Sequence, residues 1–183
     1  MKRLFAVLWC LLGVAESCTS PVQPFPSNRE SGYFSIASEI DRQVALLTAS
    51  NAKGQKIVQV GAAPPDTVSL QATNWENELY LFKEADINKP AWIDAYEVIQ
   101  SADKTVYRAT HSVPLVRQVM VRGTLSQPTV IEAHMVQSNL LYHTEKHLQL
   151  VFEEGKLSTY RIEGFQKSLL ADTTQYKLIG VVH

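Results

Sequence analysis

The second half of the chain, residues 91 to 183, alternates apolar and polar residues over a series of short segments, and this pattern constrains the fold most. In LSTYRIEGF, for example, Tyr160 and Ile162 alternate with Arg161 and Glu163. Alternation with a period of two is typical of strands that have one covered face and one solvated face. The connections between the segments are too short for the helical crossovers that parallel strands require. We therefore expect six or seven antiparallel strands in this half of the chain.

Polar turn signals separate the candidate strands about every ten residues. The strand segments are WIDAYEVIQ, KTVYRATH, LVRQVMVRG, TVIEAHMVQ, HLQLVF, LSTYRIEGF and QYKLIGVV. The turn segments are SADK, SQP, EEGK and ADTT. The first strand segment is expected to place Trp92, Tyr96 and Val98 on one face. Two further candidate strands, QKIVQVG and TVSLQAT, lie between residues 55 and 73.

Two amphipathic segments are predicted to be helices. The first is GYFSIASEIDRQVALLTA, with Ser31 as its expected N-cap and Glu39 outside its apolar stripe. That stripe comprises Phe34, Ala37, Ile40, Val44 and Leu47. The second is NWENELYLFKEADINKP, in which Asn74 is the expected N-cap and Pro90 ends a helix that reaches about Asn88.

These elements predict a single α+β domain over residues 32–183. An N-terminal helix and a second helix would pack on a curved antiparallel β-meander of about 6–9 strands. The formal net charge of the chain is −1, which argues against nucleic acid as a partner because nucleic-acid binding needs a basic surface.

Residues 1–17 have the pattern of a secretory signal peptide. Lys2 and Arg3 form a basic head, the apolar segment LFAVLWCLLGV follows, and small residues precede Cys18. The apolar segment is too short to span a bilayer, which takes about 20 residues. Ordinary signal peptidase would leave Cys18 as a free thiol. The same spacing resembles the lipobox of bacterial lipoproteins, which implies that Cys18 is acylated and becomes the new N-terminus.

Cysteine usage favours acylation. The chain has two cysteines, and removal of Cys10 with the signal peptide would leave Cys18 without a disulfide partner. Residues 18–31 are rich in proline and small polar residues, which predicts a tether. Thr19 stands where inner-membrane lipoproteins of enteric bacteria commonly carry Asp. By this resemblance we expect the outer membrane, with the domain facing the periplasm or the exterior.

Three segments of the mature chain carry a second resemblance: YFSIASEIDRQVALL, NWENELYLFKEADINKPAW, and SNLLY followed by YRIEG. They resemble a group of uncharacterised small lipoproteins of Bacteroidetes-type bacteria. The resemblance covers the chain from about Tyr33 onward. It implies a location in the cell envelope and supplies no catalytic or binding residues.

Two groups of residues are candidates for a site. Asp86, Asn88, Trp92 and Asp94 crowd the junction of the second helix and the sheet, where Glu84 or Asp86 could act as an acid or base. Helix capping is the alternative that we favour for them. His143 and His147 have the spacing of helical metal ligands, but we place them at a loop and a strand start and expect no metal site.

The sequence contains no G-x-S-x-G motif and no phosphate-binding glycine loop. We therefore expect no cofactor and no enzymatic activity. The leading hypothesis is a membrane-anchored lipoprotein that binds an envelope protein or another envelope component. One alternative is a carrier or sensor of a lipid-like apolar ligand held between sheet and helices. Another alternative is a hydrolase with an unrecognised site.

Overall fold

A computed structural model describes residues 32–183 except Val113, and this part of the chain forms two α-helices and a nine-stranded antiparallel sheet. The predicted signal peptide (1–17), the tether (18–31) and Cys18 lie outside the described residues. The α+β class, the antiparallel pairing and the number of strands are confirmed. The helices are α1 (Ile36–Ala49) and α2 (Trp75–Glu84). The strands are β1 (Gly54–Val60), β2 (Asp66–Ser69), β3 (Tyr96–Gln100), β4 (Lys104–Ala109), β5 (Val116–Gly123), β6 (Pro128–Ser138), β7 (Tyr142–Glu153), β8 (Lys156–Ser168) and β9 (Ala171–Val182).

The sheet is an open meander to which an N-terminal hairpin has been added. Its strand order is β2-β1-β9-β8-β7-β6-β5-β4-β3, so β3 to β9 follow one another and β1 pairs with the last strand. In that pairing Ile57 lies opposite Ile179. The sequence pattern predicts the meander and the hairpin, but it does not predict where the hairpin joins the sheet.

Both helices cover one face of the sheet, which we call the inner face, and the opposite face is called the outer face. The Phe82 ring of α2 meets the Tyr160 ring of β8 edge to face at a centroid distance of 6.1 Å. The alternation within β6 and β8 predicts the inner face correctly. The residues that it places there, all buried, are Ile131, Ala133, Met135, Tyr160 and Ile162. The space between helices and sheet is filled by core side chains, including Tyr107 at 2 % exposure and Tyr160 at 0 %.

Buried polar groups fix α1 to the β7–β8 hairpin. Gln43 is 0 % exposed; its side-chain amide donates to Glu39 Oε1 at 2.9 Å and to the Gly155 carbonyl at 3.0 Å. Its Oε1 accepts a hydrogen bond from the Leu157 N–H at 2.8 Å. The prediction that Glu39 lies outside the buried stripe is therefore wrong, because this network holds its carboxylate against the sheet.

A second polar link joins α2 to the sheet. The Tyr160 hydroxyl donates to Glu78 Oε1 at 2.7 Å, and Lys56 Nζ lies 2.7 Å from Glu78 Oε2. Burial and the bond to Glu78 together raise the pKa of Tyr160 above its usual range. The phenol therefore stays protonated and serves as a donor.

The start of α1 and the end of α2 differ from their predicted positions. The N-cap of α1 is Ser35, whose side chain accepts a hydrogen bond from the Ser38 N–H, and not Ser31. Asn74 caps α2 as predicted. However, α2 ends at Glu84, and Pro90 begins a 3₁₀ helix (Pro90–Trp92) rather than ending α2. The fixed φ of proline suits a first helical position.

Two strand boundaries also differ from the prediction. Trp92 belongs to the 3₁₀ helix, so β3 begins only at Tyr96. The predicted ADTT turn is wrong because β9 already begins at Ala171 and the chain turns at Leu169 and Leu170. The EEGK turn is confirmed. Its Glu154 and Gly155 have φ values of +51° and +77°, which suit a tight two-residue hairpin.

Candidate functional site

The polar residues at the helix–sheet junction act mainly as caps. Asp86 Oδ2 accepts hydrogen bonds from Ser35 Oγ at 2.8 Å and from the Ala37 N–H at 2.6 Å. Its Oδ1 accepts a bond from the Asn88 N–H at 2.7 Å. A carboxylate at the first turn of a helix also interacts favourably with the helix dipole. Asp86 therefore has a capping role, as we favoured, but at the first turn of α1 and not at the end of α2, and both of its oxygens are engaged.

The other junction residues do not converge on one point with Asp86. The Asn88 amide donates to the Tyr33 carbonyl at 3.0 Å. Lys89 Nζ lies 4.5 Å above the Trp92 ring, and Asp94 is exposed, with a φ of +63°. The Asn88 bond ties the connection after α2 to the segment that precedes α1.

The outer face carries a row of polar side chains across the five central strands. Strand register places Gln118 (β5), His134 (β6), His147 (β7), Glu163 (β8) and Lys177 (β9) directly opposite one another in that order. We call these five residues the outer-face row. Directly opposite residues on one face of an antiparallel sheet lie close enough for their side chains to interact.

Two histidines and a glutamate form the centre of this face. The rings of His134 and His147 are stacked, with centroids 4.4 Å apart and an angle of 4° between their planes. Glu145 lies two residues before His147 on the same strand. Its Oε1 is 2.8 Å from His134 Nε2 and 3.2 Å from His147 Nε2. All three side chains are accessible to solvent, with exposed fractions of 32 %, 60 % and 30 % for His134, His147 and Glu145.

The surroundings of Glu145 lower the pKa of its carboxyl group. Partial burial acts to raise its pKa, but hydrogen bonds and charge from His134 and His147 outweigh burial, and the pKa is lowered. The carboxylate is therefore held ionised beside the Nε2 atoms of the two stacked rings. Glu163 behaves similarly, since the hydrogen bond from Lys177 is the largest of the effects that lower its pKa.

A shallow groove of about 420 Å³ runs beside the histidines. Its polar lining combines both signs of charge: Gln118, Glu132, His134, His147, Gln149, Arg161 and Glu163. Gln149 donates to Glu132 Oε1 at 2.9 Å, and Arg161 Nη1 lies 3.3 Å from Glu163 Oε1. Arg161 Nε is buried and has no hydrogen-bond partner. An unpaired buried donor is uncommon in native proteins.

This arrangement could hold a divalent cation. One ligand atom each from His134, Glu145 and His147 lies within 4.8 Å of the others. Imidazole nitrogens and a carboxylate oxygen are the ligand types of three-residue zinc sites.

Sequence reasoning missed His134 as the partner of His147. We expected His143 and His147 at a loop and a strand start, but both lie within β7, which begins at Tyr142. His143 packs beside Phe165 at a centroid distance of 5.5 Å. The signal that could have found the pair is the hairpin register, which brings His134 opposite His147.

No family model, curated protein or solved structure matches this chain. The resemblance to lipoproteins of Bacteroidetes-type bacteria therefore stays a prediction. Neither α1 nor α2, the two α-helices of the described residues, combines the length and hydropathy that crossing a bilayer demands.

Proposed function

We propose that this protein is a non-enzymatic lipoprotein of the cell envelope, anchored through an acylated Cys18, whose sheet binds an envelope protein through its outer face. The observation that carries the binding role is the difference between the two faces of the sheet. Helices and core side chains fill the inner face. The outer face leaves the groove and the outer-face row open to solvent.

The anchor rests on the sequence. A short signal peptide ends at Cys18, which is the only cysteine left once Cys10 has been removed. Two or more acyl chains on one residue give durable membrane attachment. Thr19 favours the outer membrane by its resemblance to the sorting residue of enteric lipoproteins.

The chemistry of the groove suits a polar protein surface. Carboxylates of Glu132 and Glu163, the Arg161 guanidinium and two imidazoles offer acceptors, donors and both signs of charge within one area. Complementary charges of this kind give specificity and faster association rather than raw affinity. A partner from the envelope would present donors and acceptors in a matching order.

The carrier alternative has no specific observation in its favour. A lipid-like ligand would need apolar space between the helices and the sheet. In the described residues that space is occupied by the rings of Tyr107, Tyr160 and Phe82, each at most 2 % exposed.

Replacement of the two cysteines one at a time tests the anchor. Cys18→Ala should abolish labelling by radioactive palmitate and release the protein from the membrane fraction. Cys10→Ala is the matched control, and its labelling should be unchanged because this residue leaves with the signal peptide. A Cys18→Ala protein that keeps its label and stays with the membrane would refute the proposed anchor.

Cross-linking in intact cells, followed by quantitative mass spectrometry, tests the binding face. The double variant His147→Ala/Arg161→Ala should lose the partner that the wild-type protein captures. The double variant Arg122→Ala/His183→Ala removes the same two chemical groups at exposed positions outside the groove and should keep that partner. Equal capture by both variants, with folding confirmed by circular dichroism, would contradict the proposed binding face.

A further inference from the structure

Two neighbouring hairpin tips expose four leucines. Leu140 and Leu141 form the β6–β7 turn, and Leu169 and Leu170 form the β8–β9 turn. Their exposed fractions are 88 %, 64 %, 69 % and 96 % in chain order. The Leu169 N–H donates to the Leu141 carbonyl at 2.9 Å, which holds the two tips side by side. We call these four residues the leucine tips.

Charged residues are sparse in the connections at one end of the sheet, apart from the segment 85–95 that enters β3. Strand directions place the leucine tips at the same end as the loops 61–65 and 110–115. The sequences of these loops and of both tips contain no Asp, Glu, Lys or Arg. The loops at the opposite end include Lys53, Asp103 and Glu154. An apolar patch confined to one end of a domain is typical of an interaction site.

The described chain begins at the same end of the sheet as the leucine tips. Tyr33 stands at the start of the described chain, and its hydroxyl lies 3.3 Å from both the backbone nitrogen and the carbonyl oxygen of Tyr96. Tyr96 is the first residue of β3, so it marks the end of the sheet that also carries the tips. The chain therefore enters the described domain at the end of the sheet that carries the leucines.

The segment between Cys18 and the domain is long enough for Cys18 and the leucine tips to reach the same membrane surface. Residues 19–31, thirteen in number (31 − 18 = 13), separate Cys18 from the described domain. Thirteen residues reach at most about 45 Å. From β3 to β7 there are four strand steps, roughly 19 Å at about 4.8 Å each. An anchor in a bilayer can thus lie beside the leucine tips.

We infer that the leucine tips insert into the bilayer surface that holds the acylated Cys18, so that the domain stands with this end on the membrane. The inference rests on the proposed lipoprotein function and adds an orientation to it. Exposed leucine side chains suit the boundary between headgroups and acyl chains, which apolar faces of peripheral proteins enter by about 5–10 Å. The strands then run away from the bilayer, and the groove opens sideways to partners above the surface.

A fluorescent reporter on the intact lipoprotein tests the orientation. Leu170→Cys would be labelled with an environment-sensitive dye after reconstitution of the acylated protein into liposomes that contain nitroxide-labelled lipid. Ser126→Cys, in an exposed loop at the opposite end, is the matched control. The dye at position 170 should shift to shorter wavelength and be quenched by the nitroxide, and the dye at position 126 should show neither effect.

The outcomes separate the two proposals. Liposome-bound protein whose dye at position 170 is unquenched would overturn the orientation and leave the lipoprotein proposal standing. A dye that shifts without quenching would overturn it as well, because the tips would then meet a protein surface or a second copy of the chain. Protein that carries no acyl chain by mass spectrometry would overturn the lipoprotein proposal and the orientation together.

Discussion

The buried amide of Gln43 offers a sharp test of how α1 is held on the sheet. We consider Gln43→Leu, which keeps a side chain of similar size and removes all three hydrogen bonds to Glu39, Gly155 and Leu157. The Leu157 N–H would then be buried without its partner. An unsatisfied buried donor costs about 1–3 kcal/mol. The lost bonds to the other two groups bring the expected loss of stability to roughly 2–4 kcal/mol.

Arg42 is the matched control, since it contacts two of the same groups from an exposed position. Its guanidinium bonds to Glu39 at 2.6 Å and to the Gly155 carbonyl at 3.1 Å, with 45 % of the side chain exposed. Exposed pairs contribute about 0–1 kcal/mol, so Arg42→Leu should have a small effect. In Gln43→Glu the carboxylate would face Glu39, and this variant should lose at least as much stability as Gln43→Leu.

Urea denaturation of the full chain, monitored by circular dichroism, measures these differences in the free energy of unfolding. For a domain of this size, 2–4 kcal/mol corresponds to a decrease of roughly 5–15 °C in Tm. If Arg42→Leu destabilises the protein as much as Gln43→Leu does, the argument that burial decides the strength of this network is refuted.

Three further variants probe other parts of the fold. Gly180→Ala would place a methyl group inside the Tyr160 ring and should cost about 1–3 kcal/mol, whereas an unchanged urea midpoint would mean that the ring can move aside. Asp86→Ala removes the acceptor of the Ser35 hydroxyl and of the Ala37 N–H and should cost about 2–3 kcal/mol. The same denaturation measures this loss, and a value below about 0.5 kcal/mol would contradict the role of Asp86 at the first turn of α1. The pKa of Glu145 is lowered in the folded protein, so its contribution to stability is present above about pH 4.5 and disappears as the pH falls through the folded pKa. Glu145→Gln should therefore lower the free energy of unfolding at pH 7 and differ less from wild type at pH 3. Glu153→Gln, in the exposed hairpin, serves as the control. A loss of stability in Glu145→Gln that is independent of pH would contradict this reasoning.

The strands were predictable because side-chain alternation reports directly which face is covered. Ile131 and Tyr160 are buried where the pattern places them, and the turn at Glu154 and Gly155 has the conformation that its sequence predicts. The turn at Leu169 and Leu170 was missed because two leucines resemble the end of an apolar strand. The Leu169 N–H donates to the Leu141 carbonyl of the neighbouring tip, a contact for which the sequence pattern gives no signal.

The helix boundaries and the candidate site depend on contacts between residues that are distant in sequence. Asp86 follows α2 in the chain and accepts a hydrogen bond from the first turn of α1. A single-sequence pattern gives no signal for that contact. In the same way, His134 and His147 are thirteen residues apart (147 − 134 = 13) and meet only because the β6–β7 hairpin has one particular register. A shift of one residue would send one of the two rings to the inner face.

The pairing of β1 with β9 limits the order in which the strands of the sheet can pair. Gly54 lies opposite Val182, so a strand made early during synthesis receives its neighbour only after β9 has been made. Pairings this distant along the chain slow folding. A chain that lacks β9 would therefore expose an unpaired edge of β1, even when the β1–β2 hairpin has formed.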